Sequence, residues 1–403
     1  MGEIKPRSLV DTLTRLQIVE LDACARCGEC LNWCPAYEVT EDRFFNPQEK
    51  IAEYRSFVGR VHGIKAKIFG PRGIDEEALK EFANAVYECT TCGVCQEVCK
   101  VGIKCQKLWP AIRAKMVELG LGPMEEQKKM PEVIGEKRNP YNRPPEDRFD
   151  WLPRGIKIAD NAEVGYFAGC TGSYQSSPMV EGAVRVLHAT ETEFTMLGAE
   201  EEWCCGFPLF IVGLRDLIEE HVEHNVEAFA SRGIERLVTS CPCCTYMIKD
   251  YWPKFYGGKL PFELMHITQI IAEKIEEGKL RLTKSLQKTI TFHDACYLSR
   301  GTGIVEEPRK IIDHLPGVKF IEMERNRKLT KCCGAGGGIR RAYSDLSFDM
   351  SLDLIKDAEE IGAEILVVDC PACYERLPLA VYMRKYETSL KIMDLMQLTA
   401  DLL

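Results

Sequence analysis

Cysteine spacing is the feature that most constrains this chain. Twenty cysteines occur among its 403 residues, and eighteen of them fall into four regularly spaced sets, two of each of two kinds. Only Cys105 and Cys243 stand outside the sets. Thiolates gathered at this density bind soft metals, and spacings of this type are typical of iron–sulfur proteins. The sequence therefore predicts an iron–sulfur electron carrier.

Disulfides and zinc are the other uses of cysteine to weigh. Disulfide-dense chains are small and secreted, whereas this one has 403 residues, 45% apolar content and no apolar signal-peptide core at its N-terminus. Zinc is the more serious alternative, because Cys-x-x-Cys pairs also bind it. Three cysteines at two-residue gaps with a fourth three residues on are hard to wrap around one tetrahedral zinc, and they suit a cubane cluster.

Charge and hydropathy exclude two further classes of protein. The net charge of −9 argues against a nucleic-acid binder, since a phosphate backbone requires a basic surface. The apolar runs are far shorter than the roughly 20 residues that a membrane span needs. We therefore expect a cytoplasmic protein, with docking on the cytoplasmic face of a membrane through a partner left open.

The two N-terminal sets each read C-x-x-C-x-x-C-x-x-x-C. They comprise Cys24, Cys27, Cys30, Cys34 and Cys89, Cys92, Cys95, Cys99. The first set is followed by Pro35, as in bacterial-type two-cluster ferredoxins, in which the fourth cysteine of one run ligates the other cluster. This resemblance implies two cubane [4Fe–4S] clusters, one held by Cys24, Cys27, Cys30 and Cys99 and the other by Cys89, Cys92, Cys95 and Cys34. Lys100 replaces the proline in the second set. Cys105 is expected to be a buried thiol under the cluster loop, with a fifth ligand as the alternative.

The chain is predicted to divide into four regions. Residues 1–120 form a helical ferredoxin-like domain with helices near 46–61 and 74–88, and residues 121–160 form a Pro-rich linker whose prolines and glycines break any regular element. Residues 161–285 and 286–403 are two copies of one unit. The copies align EVGYFAGC with TITFHDAC, WCCG with KCCG and RLVTSCPCC with EILVVDCPAC, at offsets of 126, 128 and 129 residues.

Each copy has the pattern of a parallel, Rossmann-like α/β unit. Apolar runs predict strands at 164–168, 237–239, 290–292 and 365–368, and amphipathic stretches predict helices at 178–189, 214–231, 307–314 and 346–361. We expect the two units to pack as a pseudo-two-fold pair. Cysteines follow all four strands, and sites in such sheets gather at the carboxyl ends of the strands.

Each copy also carries one complete five-cysteine set, in the pattern C-x(33–35)-C-C-G-x(34–35)-C-x-x-C. The sets are Cys170, Cys204, Cys205, Cys241, Cys244 and Cys296, Cys332, Cys333, Cys370, Cys373. Five thiolates are one too many for a simple cubane with four irons. A more open cluster with a bridging thiolate would use all five.

These motifs resemble those of the CCG-domain family, in particular the D-type subunits of heterodisulfide reductases, over nearly the whole chain. The resemblance implies that each five-cysteine set holds a noncubane [4Fe–4S] cluster, and that the mixed disulfide of coenzyme M and coenzyme B is reduced between them in methanogenesis. It also implies an electron-donor subunit, either a membrane cytochrome b or a soluble flavin and iron–sulfur protein. Cys243 stands where the second copy has Ala372, so we leave it out of the ligand set.

Other residues and another function remain open at this point. His293 is a weak candidate for the proton donor, and a histidine that caps a strand fits the sequence at least as well. Arg300, Lys331, Arg340 and Arg341 either bind an anionic substrate or are solvated surface cations. The rival function is a non-catalytic electron-transfer subunit, as found beside glycolate and lactate oxidases, in sulfite-reduction membrane complexes and with aromatic-ring reductases.

Overall fold

The structure is a computed structural model that describes residues 3–4 and 8–403, except for the side chain of Arg43. The chain forms two compact units, each discontinuous in sequence. Unit 1 contains the described residues up to Lys129, together with Pro208–Arg215 and Gly334–Met350. Unit 2 contains Met130–Phe207, Asp216–Cys333 and Ser351–Leu403. Both inserted segments of unit 1 therefore begin at or just after a Cys-Cys-Gly motif.

Unit 1 is mainly helical, with one short antiparallel ribbon of strands β1 (Glu3–Ile4) and β2 (Ile74–Asp75). Its first helices are α1 (Arg15–Ala23), α2 (Glu29–Asn32), α3 (Pro35–Thr40), α4 (Pro47–His62), α5 (Ile64–Phe69), α6 (Glu76–Tyr87), α7 (Val94–Glu97) and α8 (Cys105–Glu118). Helices α4 and α6 confirm the two helices predicted in this region. Asn46 starts α4 by accepting a hydrogen bond from the Gln48 amide, and Pro47 fits the first helical position.

The rest of the chain adds thirteen helices to the eight above. They are α9 (Met130–Lys137), α10 (Cys170–Gln175), α11 (Ser177–Ala189), α12 (Phe207–Ile211), α13 (Ile218–Ser231), α14 (Pro242–Asp250), α15 (Trp252–Phe255), α16 (Ile267–Glu276), α17 (Glu307–Asp313), α18 (Ile339–Ala342), α19 (Ser344–Glu360), α20 (Pro371–Arg384) and α21 (Leu395–Asp401). Short 3-10 helices occupy Arg43–Phe45, Glu125–Gln127, Pro145–Phe149 and Arg327–Leu329, and a π-helix occupies Tyr297–Thr302.

Two expectations about helices are wrong. Helix α9 lies in the stretch that was expected to break any regular element; its proline, Pro131, is in the first turn, where no backbone N–H is needed. The helix expected from Leu214 begins only at Ile218, because Leu217 adopts a left-handed backbone with φ of 68°. That conformation cannot continue a right-handed helix.

Unit 2 contains two four-stranded parallel sheets with the same strand order. The strands are β3 (Val164–Phe167), β4 (Phe194–Thr195), β5 (Arg236–Thr239), β6 (Glu263–His266), β7 (Thr289–His293), β8 (Lys319–Phe320), β9 (Ile365–Val368) and β10 (Lys391–Asp394). One sheet runs β4-β3-β5-β6 and the other β8-β7-β9-β10. The prediction of two parallel α/β units is confirmed, with the four predicted strands at the centres of the sheets.

The two copies pack through reciprocal pairs of helices. Helix α11 packs on α21, and its counterpart α17 packs on α16, the counterpart of α21. In the same way α10 packs on α20, and the π-helix packs on α14. Each contact thus recurs with the copies exchanged, as a pseudo-two-fold relation requires. At Gly182 of α11, a Cβ would lie 2.6 Å from the backbone nitrogen of Gln397, so α11 and α21 touch backbone to backbone.

One hydrophobic core serves both copies. Residues of the first copy and of the second lie in the same cluster of buried side chains; they include Val186, Leu187, Ile270, Ile271, Ile311, Ile312, Val367 and Leu398. Burial of such aliphatic side chains contributes roughly 1.5–3 kcal/mol each. The contacts between the copies are therefore part of the core of unit 2.

None of the helices in the described part of the chain is both long enough and apolar enough to cross a membrane.

Candidate metal centres

A cavity of about 120 Å³ in unit 1 brings together the first predicted cubane ligands. Cysteines line it from three separate segments, namely Cys24, Cys27, Cys30, Cys95, Cys99 and Cys105. All four ligands predicted for the first cubane line this cavity, and one of them, Cys99, comes from the second cysteine run. The ligand assignment itself stays a prediction, because Cys95 and Cys105 face the same cavity.

A second, smaller cavity of about 30 Å³ is lined by the other predicted cubane ligands. These are Cys34, Cys89, Cys92 and Cys95. The two cysteine loops share one backbone conformation: Arg26 and Thr91 have φ of 54° and 55°, and Gly28 and Gly93 have φ of 84° and 81°. Glycine adopts this left-handed conformation without steric cost. The two runs therefore form the same loop twice.

The electrostatics of these cavities suit a bound cation-containing group. Burial raises the pKa of Cys30 and of Cys34 to about 12. A bare thiolate is therefore disfavoured at both positions, and the positive charge of iron is what would hold the cysteines deprotonated. Cys105 is buried and forms a thiol hydrogen bond with Cys95.

Arg113 lies beside the second cysteine run and ties unit 1 together. Its guanidinium is fully buried and donates hydrogen bonds to backbone carbonyls only 2.6–2.8 Å away, including those of Cys89, Val86, Ile211 and Gly337. The last two carbonyls belong to the inserted segments Pro208–Arg215 and Gly334–Met350. One side chain thus links a predicted ligand loop to the two segments that follow the Cys-Cys-Gly motifs.

The structure gathers the first five-cysteine set into one buried group. Cys170 follows β3, and Cys241 and Cys244 begin α14 after β5. Thiol contacts connect all five in the order Cys170, Cys204, Cys205, Cys244, Cys241. All five side chains are buried.

The second set forms a matching group at the carboxyl ends of β7 and β9. Thiol contacts connect Cys332, Cys333, Cys373 and Cys370, with 2.9 Å between the sulfurs of Cys333 and Cys373. Cys296 directly precedes the π-helix, three residues past β7, as Cys170 stands three residues past β3. Both sheets thus carry their cysteines at the edge expected from strand direction.

Cys243 links the two sets. Its thiol hydrogen bonds to Cys241 of its own copy and to Cys370 of the other. The contact places the carboxyl-end edges of the two sheets against each other within unit 2. In the sequence, this residue appears only as a mismatch with Ala372, and the repeat alone gave no sign of a contact across the copies.

Arg148 is a second residue that sequence reasoning missed. It comes from the 3-10 helix Pro145–Phe149 in the predicted linker, and its Nη1 and Nη2 atoms lie 3.7 and 3.8 Å from the sulfur of Cys170. Nη1 also pairs with Glu202 at 3.0 Å, and both side chains are fully buried. No local pattern marks Arg148, because its partners are 22 and 54 residues further along the chain.

His293 lies beside the second set. It is buried at the end of β7, and one of its ring nitrogens lies within 4.8 Å of the sulfurs of Cys333 and Cys373. Its Nδ1 atom is 3.2 Å from the Thr330 hydroxyl, which fixes the ring. The first copy has Phe167 at the matching position, and its own buried histidine, His221, instead contacts the backbone carbonyl of Cys204 at 3.1 Å.

The cations near the second set have structural partners. Lys331 is buried, and its ammonium pairs with Asp353 and Asp357 at 2.8 and 2.9 Å. Arg300 is also buried and donates to the carbonyls of Lys328 and Thr330 at 2.9 Å. The expectation that Arg300 and Lys331 are solvated surface cations is therefore wrong. Arg340 and Arg341 lie on α18 in unit 1.

The fold and its grouped thiols define a class: an iron–sulfur oxidoreductase with a dicluster domain before two cysteine-rich domains. The family described as "Cysteine-rich domain" (CCG) matches residues 164–249 and 290–377, and the "4Fe-4S dicluster domain" family matches residues 20–103. The chain is 41% identical to the D-type subunit of the dihydromethanophenazine:CoB–CoM heterodisulfide reductase of Methanosarcina barkeri, over 94% of this chain and 93% of that one. The chain belongs to the family of D-type heterodisulfide reductase subunits.

More distant relatives are longer than this chain. The B-type subunit of the fumarate reductase (CoM/CoB) of Methanothermobacter marburgensis is 28% identical, over 92% of this chain and 69% of the relative. EtfAB:quinone oxidoreductase of Syntrophomonas wolfei is also 28% identical, over 94% of this chain and 57% of the relative. The family resemblance inferred from the cysteine motifs is confirmed, and the relatives are subunits or parts of larger oxidoreductases.

Proposed function

We propose that this chain is the catalytic subunit of a heterodisulfide reductase. The reaction is RS–SR′ + 2e⁻ + 2H⁺ → RSH + R′SH, with a disulfide of the coenzyme M–coenzyme B type as substrate. The observation that carries the proposal is the contact between Cys243 and Cys370, which sets the two complete five-cysteine groups side by side in one unit.

The proposed ligands follow the groups described above. Cubane clusters would be held by Cys24, Cys27, Cys30, Cys99 and by Cys34, Cys89, Cys92, Cys95. Noncubane clusters would be held by Cys170, Cys204, Cys205, Cys241, Cys244 and by Cys296, Cys332, Cys333, Cys370, Cys373. The corresponding proposed domains are 1–120, the linker 121–160, and the CCG domains 161–285 and 286–403.

Two sites suit disulfide reduction for a reason of electron count. Cleavage of an S–S bond takes two electrons, and each iron–sulfur cluster, when bound, supplies one. A lone one-electron site would release a thiyl radical after the first transfer. Adjacent sites in the two copies allow both sulfurs to be reduced together.

His293 is the candidate donor of one of the two protons. Its buried ring is held by Thr330 and faces Cys333, so a proton on the ring is delivered next to the second set. The competing role is structural, with the imidazole only capping β7. The variant H293Q separates these two roles, because a glutamine amide can still cap β7 but cannot donate a proton to the product thiolate.

Electrons would enter through the dicluster region from a separate donor protein. The relatives named above are subunits or parts of larger complexes, and this supports a partner such as a membrane cytochrome b or a soluble flavin and iron–sulfur protein. In the cell we place the chain in the cytoplasm or on the cytoplasmic face of a membrane through that partner.

The test is reduction of the coenzyme M–coenzyme B disulfide by reduced viologen with iron-replete protein. We expect stoichiometric release of two thiols, and loss of at least 100-fold in rate in C333A, with iron in the N-terminal region retained. The relative EtfAB:quinone oxidoreductase supports the alternative of an electron relay. Fully loaded protein that reduces a quinone or an acceptor protein, yet leaves the disulfide intact, would establish that alternative instead.

A further inference from the structure

The first five-cysteine set has a permanent positive charge built against it. Arg148 is fully buried, donates two hydrogen bonds to the sulfur of Cys170, and donates a third to the carbonyl of Arg138 at 3.2 Å. A guanidinium stays protonated at every pH the protein meets. The charge beside Cys170 is therefore fixed.

Glu202 holds this guanidinium in place and joins it to the cysteine loop. Its carboxylate pairs with Nη1 of Arg148 and accepts the amide N–H groups of Ala168 and Gly169 at 3.0 and 2.9 Å. These two residues immediately precede Cys170. The ion pair thus orients Arg148 toward the sulfur through the backbone of the same loop.

The second set is surrounded differently. The repeat aligns Phe167 with His293, and Glu202 with Thr330, so the buried carboxylate of the first copy is a hydroxyl in the second. His293 and Thr330 contact each other at 3.2 Å beside Cys333. The sulfur of Cys170 in the first set is thus contacted by a guanidinium, whereas an imidazole lies beside the sulfur of Cys333 in the second.

We propose that Arg148 makes the two sites electronically unequal by raising the reduction potential at the first set. A cluster with thiolate ligands gains negative charge when it is reduced. A fixed cation and hydrogen bonds to ligand sulfur stabilise that reduced form. The first electron therefore settles at the set of Cys170 and the second at the set of Cys333.

Because the two sites differ, each half of a mixed disulfide is reduced at a particular one of them. Bond cleavage consumes one electron from each site and two protons in all, and releases two thiols. Because a guanidinium donates directly to a sulfur of one set and an imidazole lies beside the sulfurs of the other, the two different halves of a mixed disulfide are not interchangeable. The inference depends on the proposed clusters at these sets and is independent of which disulfide is reduced.

The test is a redox titration of the complete protein, followed by electron paramagnetic resonance. In R148M, whose side chain is of similar length without charge, we expect one noncubane signal to move to lower potential while the other signals stay. R148K should restore part of the shift. The matched control is R143M in the same segment, whose arginine is exposed and pairs with Asp147; it should change nothing.

E202Q supplies a second, opposite perturbation. It removes the neutralising charge, while the amide oxygen of the glutamine can still accept the hydrogen bond from Arg148, so the same signal should move to higher potential. Unchanged potentials in iron-replete R148M, or a common shift of both noncubane signals, would overturn the inference. If R148M loses iron, E202Q decides, and an unmoved signal there overturns it. Shifted potentials in a protein that cleaves no disulfide would reject the proposed reaction and keep the inference.

A separate observation concerns the surface of unit 1. Helix α5 exposes three large apolar side chains, Ile64, Ile68 and Phe69, at 77%, 68% and 79% of their full area. The segment 60–72 around it carries Arg60, Lys65, Lys67 and Arg72 and has no acidic residue, in a chain whose net charge is −9. We call this segment the basic apolar segment.

We infer that the basic apolar segment binds an anionic lipid surface. Apolar side chains that enter the headgroup layer and cations that meet anionic lipids are the two signals that peripheral attachment needs together. The segment adjoins a groove that Gly63, His62 and Arg26 help to line. Arg26 lies between Cys24 and Cys27, so lipid contact would present the first cysteine run close to the bilayer surface.

Vesicle co-sedimentation tests this second inference. Complete protein should bind phosphatidylcholine vesicles that contain phosphatidylserine, bind less in high salt, and fail to bind phosphatidylcholine alone. The variant I64S/I68S/F69S should lose at least 10-fold in binding. The control Y382S/M383S, which removes exposed apolar side chains on α20, should bind as the wild type does. Equal binding of wild type and triple variant would overturn the lipid assignment. So would a triple variant impaired only in taking electrons from a donor protein.

Discussion

The burial of His266 is expected to make the stability of the folded protein depend on pH. It is fully buried at the end of β6, where its Nδ1 contacts the amide and hydroxyl of Thr268 at the start of α16. Its Nε2 atom has no hydrogen-bond partner among the described residues. Burial in this position lowers the pKa of His266 to about 4. In the unfolded chain the same imidazole has its ordinary pKa of about 6.5.

The sign and size of the effect follow from that difference. Between pH 6.5 and pH 4 the unfolded chain binds a proton that the folded protein does not, so stability is lost as the pH falls. From pH 7.5 to pH 5.5 the loss is about 1.4 kcal/mol for this one group. For a cooperative unit of roughly 150–250 residues, that corresponds to roughly 3–6 °C in melting temperature.

The perturbation is H266N, which keeps a side chain able to cap α16 and removes the titration. Calorimetry of the anaerobic, iron-replete protein at pH 7.5 and 5.5 should show a smaller acid-induced drop in the variant. His188 is exposed on α11, and H188N should behave as the wild type.

The residue of the second copy that matches His266 is Asp394, where burial raises the pKa to about 7. D394N should therefore show the opposite sign, a gain over wild type as the pH rises. Identical acid responses of H266N and wild type would refute the argument.

Further predictions concern packing and ligands. R113M should lower the free energy of unfolding by about 3–5 kcal/mol, because several buried carbonyls lose their hydrogen-bond donor, and calorimetry measures this loss. R113M should also halve the iron bound in the N-terminal region, and undiminished iron in an iron analysis would contradict this prediction. G182V should destabilise unit 2 by at least about 1–3 kcal/mol, because the backbones of α11 and α21 meet there. By the same measurement G59A, at a position of α4 with open space around it, should stabilise by about 0.5–1 kcal/mol. C243A should retain all iron while C244A loses it; iron loss in both would make Cys243 a ligand.

The inner part of each sheet and the cysteine sets could be predicted from sequence. Four short apolar runs predict the central strands because those strands are buried on both faces. The outer strands β4 and β8 are two residues long, and β6 and β10 begin with exposed charged residues. Such edges have no apolar run to detect. They form because the adjacent central strand offers hydrogen bonds.

The interactions around the cysteines could not be predicted, since they depend on tertiary structure. Arg148 approaches Cys170 from a stretch whose prolines predict only irregular chain. Lysine is usually a surface residue, yet Lys331 is buried, and Asp353 and Asp357 neutralise its charge there. Spacing within a motif specifies metal binding, whereas contacts between distant segments are set by how the whole unit packs.

The discontinuous make-up of unit 1 affects how the protein is synthesised. Gly337 accepts a hydrogen bond from Arg113, so the unit that contains the earliest cysteines includes a residue 224 positions further along the chain. At roughly 5–20 residues per second, a ribosome needs roughly ten to forty seconds to make the intervening chain. Until then the guanidinium of Arg113 can bond to the carbonyls of Val86 and Cys89 but lacks that of Gly337. Insertion of iron and sulfide into the N-terminal cysteine loops is then expected to be completed only after residues 334–350 have been translated.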